Sequence, residues 1–381
     1  MKAPHPLNLT PARPPFLAGL LRAAAVCCWC WAGAALACHS TERTAIVAQG
    51  FDADRLCRVL RDFQAGEANL HGLVILRHGE MVAERYRSGK DRSVYSLFAR
   101  SVDFDAHTRH DLRSVSKSIT GLLWGIAQAE GKTPSLDARV LDLFPELAAL
   151  KGGGREAITV GHLLSMSSGL EWMEPDRYGL VGNDELALYW RASQEKTVLS
   201  RPMLHPPGTR FHYSGGATAV LARLLERGVG MPVSDYARTR LFAPLGIMDW
   251  EWMQDLRGRP LAFAGLRMRT RDLARIGQLV LQRGEWDGRQ VVPAAWLDDA
   301  LRPHAEVGDG RHYGYQWWLG AIPALGTGQR WAAAYGNGGQ RLFVAPGLDL
   351  VVVITAGMYN EDAGVAKVNR MCQQIAAAID R

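Results

Sequence analysis

"RSVSKSITGLLWGIAQAEG", Arg113 to Gly131, is the stretch on which the reading of this chain turns. Its apolar residues Ile119, Leu122, Leu123 and Ile126 recur at helical spacing and predict one buried face. Ser114 and Lys117 stand three apart in the first turn and so share a face. A serine hydroxyl is a weak nucleophile until a neighbour takes its proton. A lysine can take it where desolvation or a second cation lowers its pKa. The free N–H groups and dipole of a helix start favour the negative charge that such a step develops. The plain alternative is that Ser114 caps the helix and Lys117 is solvated. A lone Ser-x-x-Lys arises often by chance.

Two further stretches answer it. "PPGTRFHYSGG", Pro206 to Gly216, places Tyr213 between a turn and a helix, where a phenol can relay a proton between base and leaving group. The alternative is a core tyrosine with a satisfied hydroxyl. "YGNGGQRLFV", Tyr335 to Val344, places Gly338 and Gly339 at the start of a strand. Glycines there let a substrate approach the backbone, and the Gln340 N–H can then serve as an oxyanion donor. The alternative is a loop or bulge.

The rest of the chain frames these stretches. Phe51 to Gln64 reads as a helix, and "LHGLVILRHGEMVAERYRSG" as two strands around His78-Gly79-Glu80. Several helical segments with Gly, Pro and Ser loops follow, among them "TVGHLLSMSSGL", "NDELALYWRASQ" and "RDLARIGQLVLQRG". After Tyr313 strands return in "YGYQWWLG", "GGQRLFVAP" and "LDLVVVITAG", the last two joined at Pro346-Gly347. A final helix is predicted from about Ala363 to Asp380. Strands at both ends predict an α/β (α+β) fold. One antiparallel sheet is built from about 45–112 and 310–381, with a mostly helical region inserted over about 113–309. "KGGGREAIT" lacks the Gly-Lys-Ser/Thr of a phosphate loop.

The 381 residues are 48% hydrophobic and 22% charged, as expected of a globular protein with a sizeable core. The formal charge of +6 is spread rather than clustered, which argues against nucleic acid as a partner. Residues 1–37 carry Lys2, Arg13 and Arg22, no acid, an apolar run from Ala23, and Ala35-Leu36-Ala37 at their end. That is the layout of a secretory signal, and the run falls short of the ~20 apolar residues that span a bilayer. Without it, 41 of the 44 basic residues face 38 acidic ones, so the remaining chain is close to neutral. Cys27, Cys28 and Cys30 fall in this segment. Cys38 follows it in "ALAC", which resembles a bacterial lipoprotein cleavage box except that Ala35 stands where a larger aliphatic residue is usual. Plain cleavage and lipidation of Cys38 both remain open. No Cys or Cys/His spacing predicts a metal site.

Taken together, "RSVSKSITG", "HLLSMSSGL", "PPGTRFHYSGG", "LFAPLGI", "GLRMRTRDLARIG" and "GNGGQRLFV" resemble the class C β-lactamase-related family of penicillin-recognising serine hydrolases. That family includes β-lactamases, D-Ala-D-Ala peptidases, esterases and 6-aminohexanoate-dimer hydrolases, and the flavour here is nearest to the last. The resemblance covers nearly all of 38–381 and implies a β-lactamase/DD-peptidase-like fold, with the site in the groove between sheet and helical region. It implies Ser114 as the acylated nucleophile, Lys117 as its base and Tyr213 as partner in proton transfer. The N–H groups of Ser114 and Gln340 would form the oxyanion hole, with Gly338 and Gly339 beside it. No cofactor or metal is implied. The fold would also bring the terminal helices together, which favours a Cys57–Cys372 disulfide in an oxidising compartment.

Two departures narrow the substrate. Many relatives carry Tyr-x-Asn, whereas Tyr213-Ser214 is followed here by Gly215. Many also carry Lys-Thr-Gly, where this chain has Asn337-Gly338-Gly339. Both losses remove recognition of β-lactam-like substrates and leave the acyl-transfer parts intact. The expectation is a monomeric hydrolase of an ester or linear amide, secreted to a bacterial periplasm and touching membrane only if Cys38 is lipidated. The rivals are a β-lactamase or D-Ala-D-Ala peptidase, a transacylase, and a non-catalytic peptidoglycan binder. In "EWMEPDRYG", Trp172, Glu174 and Tyr178 are candidates for substrate contact. Tyr189, Trp190, Trp317 and Trp318 suit either a flat substrate or core packing. His162, His205 and His212 read as structural.

Overall fold

A computed structural model describes residues 38–380, apart from 67, 95, 97, 175–181 and 323–327. Residues 1–37, read above as a secretory signal, and Tyr178 lie outside the described residues. Eight strands form one antiparallel sheet: β1 (Leu70–Arg77), β2 (Glu80–Tyr86), β3 (Ala305–Gly308), β4 (Arg311–Tyr313), β5 (Trp318–Ala321), β6 (Arg330–Gly336), β7 (Gln340–Ala345) and β8 (Leu350–Ala356). Their spatial order is β3-β4-β5-β6-β7-β8-β1-β2, so the two ends of the chain meet where β8 pairs with β1. The predicted Tyr313–Gly320 strand is split. Gly314–Trp317 leave the ladder, with Gln316 at φ 66°, and its side chain turns inward onto the carbonyls of Leu163 and Leu164.

Period-2 alternation sorts the sheet into two cores. Val74, Leu76, Leu342, Val344, Val351 and Val353 face the helical region. Leu73, Ile75, Phe343, Ala345, Val352 and Ile354 face the opposite way. On that second face lie α1 (Ser40–Ala48), α2 (Ala53–Ala65) and the carboxy-terminal helix Asp362–Ala377. Helix α3 (Val115–Ala129) runs through the first core, followed in the chain by α4 (Gly215–Val229) and α5 (Thr270–Leu281). The carboxy-terminal helix is α6. The sequence predicts one buried face for α3, yet every residue from Val115 to Ala127 is buried. Its hydroxyls permit this. Ser118 donates to Gln316 O at 2.6 Å, Thr120 to Ala262 O at 3.0 Å, and Ser116 accepts from Leu266 N–H at 3.0 Å. Hydrogen-bonded hydroxyls can be buried at little net cost.

The expected Cys57–Cys372 pairing is overturned. Cys57 bonds Cys38, whose segment folds back over α2 as α1, and Cys372 is a free thiol buried in α6. Burial pushes that thiol up to about 12. The Cys38 sulfur is taken up by this disulfide. No described helix is long and apolar enough to cross a membrane.

Candidate active site

Ser114 stands immediately before α3, at the position where a capping serine would accept an N–H from the first turn. It makes no such bond. Instead Lys117 Nζ donates to its Oγ at 2.8 Å. Arg113, just before it, holds φ 51°. That left-handed conformation is unusual for a side chain of this size and marks a strained turn into the helix. The serine is 8% exposed and the lysine 1%.

Among the described residues no second cation flanks Lys117. Its ammonium donates to Glu185 Oε2 at 3.0 Å and to Phe263 O at 3.0 Å, with Glu174 Oε1 at 3.6 Å. Burial alone would lower the lysine, but the two carboxyls more than offset it and hold its pKa above the ordinary value. The resting lysine is therefore an ammonium ion. The carboxyls lean on each other as well. Burial pushes both up. Lys117 and the N–H groups of Gly215 (2.7 Å) and Trp172 Nε1 (3.0 Å) bring Glu174 below its ordinary value. Glu185, facing the charge of Glu174, is pushed up to about 8. At neutral pH the pair thus shares one proton, held on Glu185.

The glycine that departs from the family pattern explains how these carboxyls fit. A Cβ at Gly215 would lie 2.3 Å from Glu185 Oε2. The space that an asparagine side chain would need is filled by Glu185. Glu174 was legible as a loop candidate. Glu185 was not, because "NDELALYW" carries no motif and reads as an ordinary acidic helix start.

Tyr213 completes the constellation. Its ring centroid is 5.0 Å from Lys117 Nζ, and it lines the groove beside Ser114. Burial, assisted by Glu174 and Glu185, outweighs Lys117 and keeps the phenol protonated. A groove of about 320 Å³ opens over Ser114, Glu174 and Tyr213, with Trp318, Tyr335 and Arg341 on its wall. Trp318 stacks on Tyr335 at 5.4 Å and lies 5.5 Å from Tyr213. Trp172 is buried, Trp317 fully so, and Trp190 is exposed, so of the tryptophans singled out above only Trp318 lines the groove. His212 bonds Trp172 O at 2.8 Å and His162 closes the capping box on Thr159, both structural roles.

The glycine motif forms the hairpin between β6 and β7, with Gly338 at φ 90° and Gly339 at φ 96°. Asn337 reaches the groove wall but its amide is tied to Asn360 at 2.8 Å. Gln340 is fully buried. Its amide bonds Asn337 O and both backbone groups of Ala356, so its side chain is structural and only its backbone remains for substrate. Gly336, paired with Gln340, sits so close to the nucleophile segment that a Cβ would lie 2.3 Å from Leu112 O. This brings the start of β7 beside Ser114. Arg341, next in β7, is 3% exposed. It donates to Gln340 O at 2.7 Å and Asn369 Oδ1 at 2.8 Å and lies 3.9 Å from the Tyr335 ring centroid, and among the described residues it has no carboxylate within ion-pair distance. A charged residue inside the apolar run "GGQRLFV" was the available signal, since a guanidinium is rarely buried without a partner.

Comparison with known proteins agrees with this geometry. The Beta-lactamase family model matches residues 60–373. The chain is 28% identical over 299 residues to 6-aminohexanoate-dimer hydrolase of Paenarthrobacter ureafaciens, covering 74% of this chain and 70% of that one. Its fold is similar to that of a penicillin-binding protein homologue from Caulobacter crescentus, with TM-score 0.67, 17% identity, and coverage of 90% and 98% of the two chains. It is also similar to EstCE1, a hydrolase with promiscuous acyltransferase activity, with TM-score 0.66, 19% identity, and coverage of 87% and 99%. The chain belongs to the β-lactamase family of serine hydrolases.

Proposed function

We propose that this protein hydrolyses a linear amide or an ester through an acyl-enzyme on Ser114. The observation that carries the reading is the 2.8 Å contact of Lys117 Nζ with Ser114 Oγ, backed by Glu174 on the groove and the buried Glu185 against the same ammonium. The lysine is already protonated, so it acts as a relay. As Ser114 Oγ attacks the carbonyl carbon, Lys117 takes the serine proton and passes one of its own to Glu174. Both carboxyls then hold a proton and Lys117 stays an ammonium ion. The step leaves the protein cluster one proton richer and puts the negative charge on the substrate oxygen, where the Ser114 and Gln340 N–H groups receive it. When the intermediate collapses, the C–N or C–O bond breaks. The leaving group departs with a proton delivered from Lys117 through Tyr213, and Glu174 re-protonates the lysine. Water repeats the sequence to release the acid.

The groove favours a substrate with an anionic end near Arg341. That suits the likeness to a 6-aminohexanoate-dimer hydrolase, a name that implies a linear amide with a free carboxylate. Secretion is part of the proposal. The leader layout of residues 1–37 and a disulfide at Cys38–Cys57 both fit an oxidising compartment.

The test is a panel of linear 6-aminohexanoate dimer, a short chromogenic ester and a chromogenic cephalosporin, with intact-mass detection of the acyl-enzyme. Turnover of the dimer or the ester is expected to exceed that of the cephalosporin. Ser114→Ala should cut it at least ~1000-fold and abolish the mass adduct. Equal turnover by that variant would overturn the proposal. Strong cephalosporin turnover would restore the β-lactamase reading.

A further inference from the structure

A second buried polar cluster lies on the other side of the nucleophile segment. His71 of β1 and His110 of the short strand Arg109–Asp111 are both fully buried, and Asp91, ending the strand Gly89–Asp91, is 5% exposed. His71 Nδ1 and His110 Nε2 face each other at 2.7 Å, and Asp91 Oδ1 lies 3.9 Å from His110 Nε2. The ligand atoms of the three residues all lie within 4.8 Å of one another.

The protons of this cluster can be placed by elimination. His110 Nδ1 faces Asp111 O at 2.9 Å. A carbonyl only accepts, so Nδ1 carries the hydrogen and Nε2 is bare. Asn69 is oriented by backbone. Its Oδ1 accepts Lys90 N–H at 3.1 Å and its Nδ2 donates to Lys90 O at 2.6 Å. The same Oδ1 faces His71 Nε2 at 2.9 Å. That nitrogen must donate, which leaves His71 Nδ1 bare as well. With both rings neutral, two imidazole lone pairs point at each other with no hydrogen between them. Left so, they repel in a site without water to screen them. A cation between them removes the conflict, and Asp91 supplies the compensating charge.

We propose that His71, His110 and Asp91 bind a divalent transition metal ion of the zinc class. Two neutral imidazoles and one carboxylate are a donor set that zinc takes readily. The other nitrogens of both rings are held by an amide and a carbonyl, the second-shell partners that metal-bound histidines have. Tyr359 does the same for the carboxylate, donating to Asp91 Oδ1 at 2.6 Å. The surroundings are built to hold this arrangement. A Cβ at Gly89 would lie 2.5 Å from His71 Nε2, and one at Gly357 would lie 2.6 Å from His71 Cε1. Phe104 stacks on the His71 ring at 4.2 Å and closes the cluster. Ligation at Zn–N of 2.0–2.1 Å in tetrahedral geometry puts two nitrogens ~3.3 Å apart, so the rings separate by about half an ångström on loading.

The role is structural. His110 is four residues before Ser114, and Tyr359 lies under Arg113, whose guanidinium carbon is 4.4 Å from its ring centroid. A Cβ at Gly338 would also strike Tyr359 at 2.5 Å. The ion would pin together the segment that carries the nucleophile and the hairpin that carries the oxyanion donor.

The experiment is metal analysis of the full chain without a histidine tag, expressed in zinc-supplemented medium. About one zinc per chain is expected. Stripping with a chelator should lower Tm by ~5 °C, and one equivalent of zinc should restore it. Cobalt(II) in its place should give visible d–d absorption. Ser114→Ala should bind zinc with the same stoichiometry, which keeps this result separate from the hydrolase reading. Asp91→Asn and His110→Gln should lose the metal. If they fail to fold, the wild-type content, reloading and cobalt spectrum still decide. Zinc-free protein whose Tm and spectrum ignore one equivalent of zinc or cobalt overturns the proposal and leaves a shared proton between the rings.

Discussion

Two buried polar clusters flank the Leu112–Ser114 segment, and they are satisfied in opposite ways. Around Lys117 every donor meets an acceptor: Ser114 Oγ, Glu185 Oε2 and Phe263 O take the three ammonium hydrogens. Around His71 and His110 the two facing nitrogens are both acceptors when the rings are neutral. The first cluster is a closed set of protein groups able to shift protons among themselves. The second is completed from outside the chain. A buried charge network is costly unless fully paired, so each cluster indicates what it is for by how its pairing closes.

The comparison breaks most visibly at Glu174. In the relay it is the ionised member that receives the proton from Lys117. Glu174→Gln keeps size and one acceptor but removes that capacity. A loss of about 100-fold in kcat is expected, the lower end of what a proton-transfer group contributes, with KM little changed. Activity in the wild type should also fall on the acid side, as Glu174 is protonated below its ordinary range. A variant that keeps wild-type kcat would show Lys117 to be the base unaided.

Arg341 sharpens the substrate side. Arg341→Gln removes a guanidinium that has no carboxylate partner among the described residues, while retaining a donor for Gln340 O. KM for a substrate with a terminal carboxylate should rise about 10-fold, the scale of one charged hydrogen bond. KM for a neutral ester should barely move. Equal effects on both would make Arg341 a strut for the β6–β7 hairpin rather than a recognition group.

Glu185 gives a smaller effect, read in pH. Its folded pKa of about 8 lies above its ordinary value of 4.5, so the folded state holds a proton that the unfolded state has lost. Its stabilising contribution is full below pH 4.5 and disappears as pH rises through about 8. Wild-type Tm should therefore decline across this window, and Glu185→Gln, which stays neutral throughout, should flatten the decline. An unchanged slope in the variant would place the shared proton on Glu174 instead.

The sequence carried the first cluster further than the second for a physical reason. Ser114 and Lys117 sit one turn apart on a single helix, so linear spacing reports their contact. Tyr213 and the Gly338-Gly339-Gln340 run are also local motifs with a fixed order. Glu185 approaches Lys117 only because Gly215 lacks a side chain, a relation between residues that are distant in sequence. His71, Asp91 and His110 come from three separate strands about twenty residues apart, with no ligand spacing to read. The sheet built from both chain ends was legible from its apolar strand runs, but its two cores were not, because Leu73 to Leu76 and Val351 to Ile354 are apolar at every position and only the structure sorts them between the cores. The full burial of α3 was not, since Ser116, Ser118 and Thr120 look solvent-facing until their long-range acceptors are known.

The disulfide offers the smallest effect and a control on both clusters. Cys38 and Cys57 close a separation of 19 residues that ties α1 to α2 on the sheet face opposite α3. Cross-linking a loop of that length restrains the unfolded chain by about 3 kcal/mol. In a chain this long, Cys57→Ser should cost a few degrees of Tm, on the order of 5 °C. Turnover should stay within about twofold, because distant sites with no shared partner act additively. Zinc content should not change either, because neither Cys38 nor Cys57 touches His71, Asp91 or His110. A large loss of turnover in Cys57→Ser would mean that the two faces of the sheet are coupled. The β1–β8 pairing, which carries His71 on one side and the α2–α6 core on the other, would be the element that couples them.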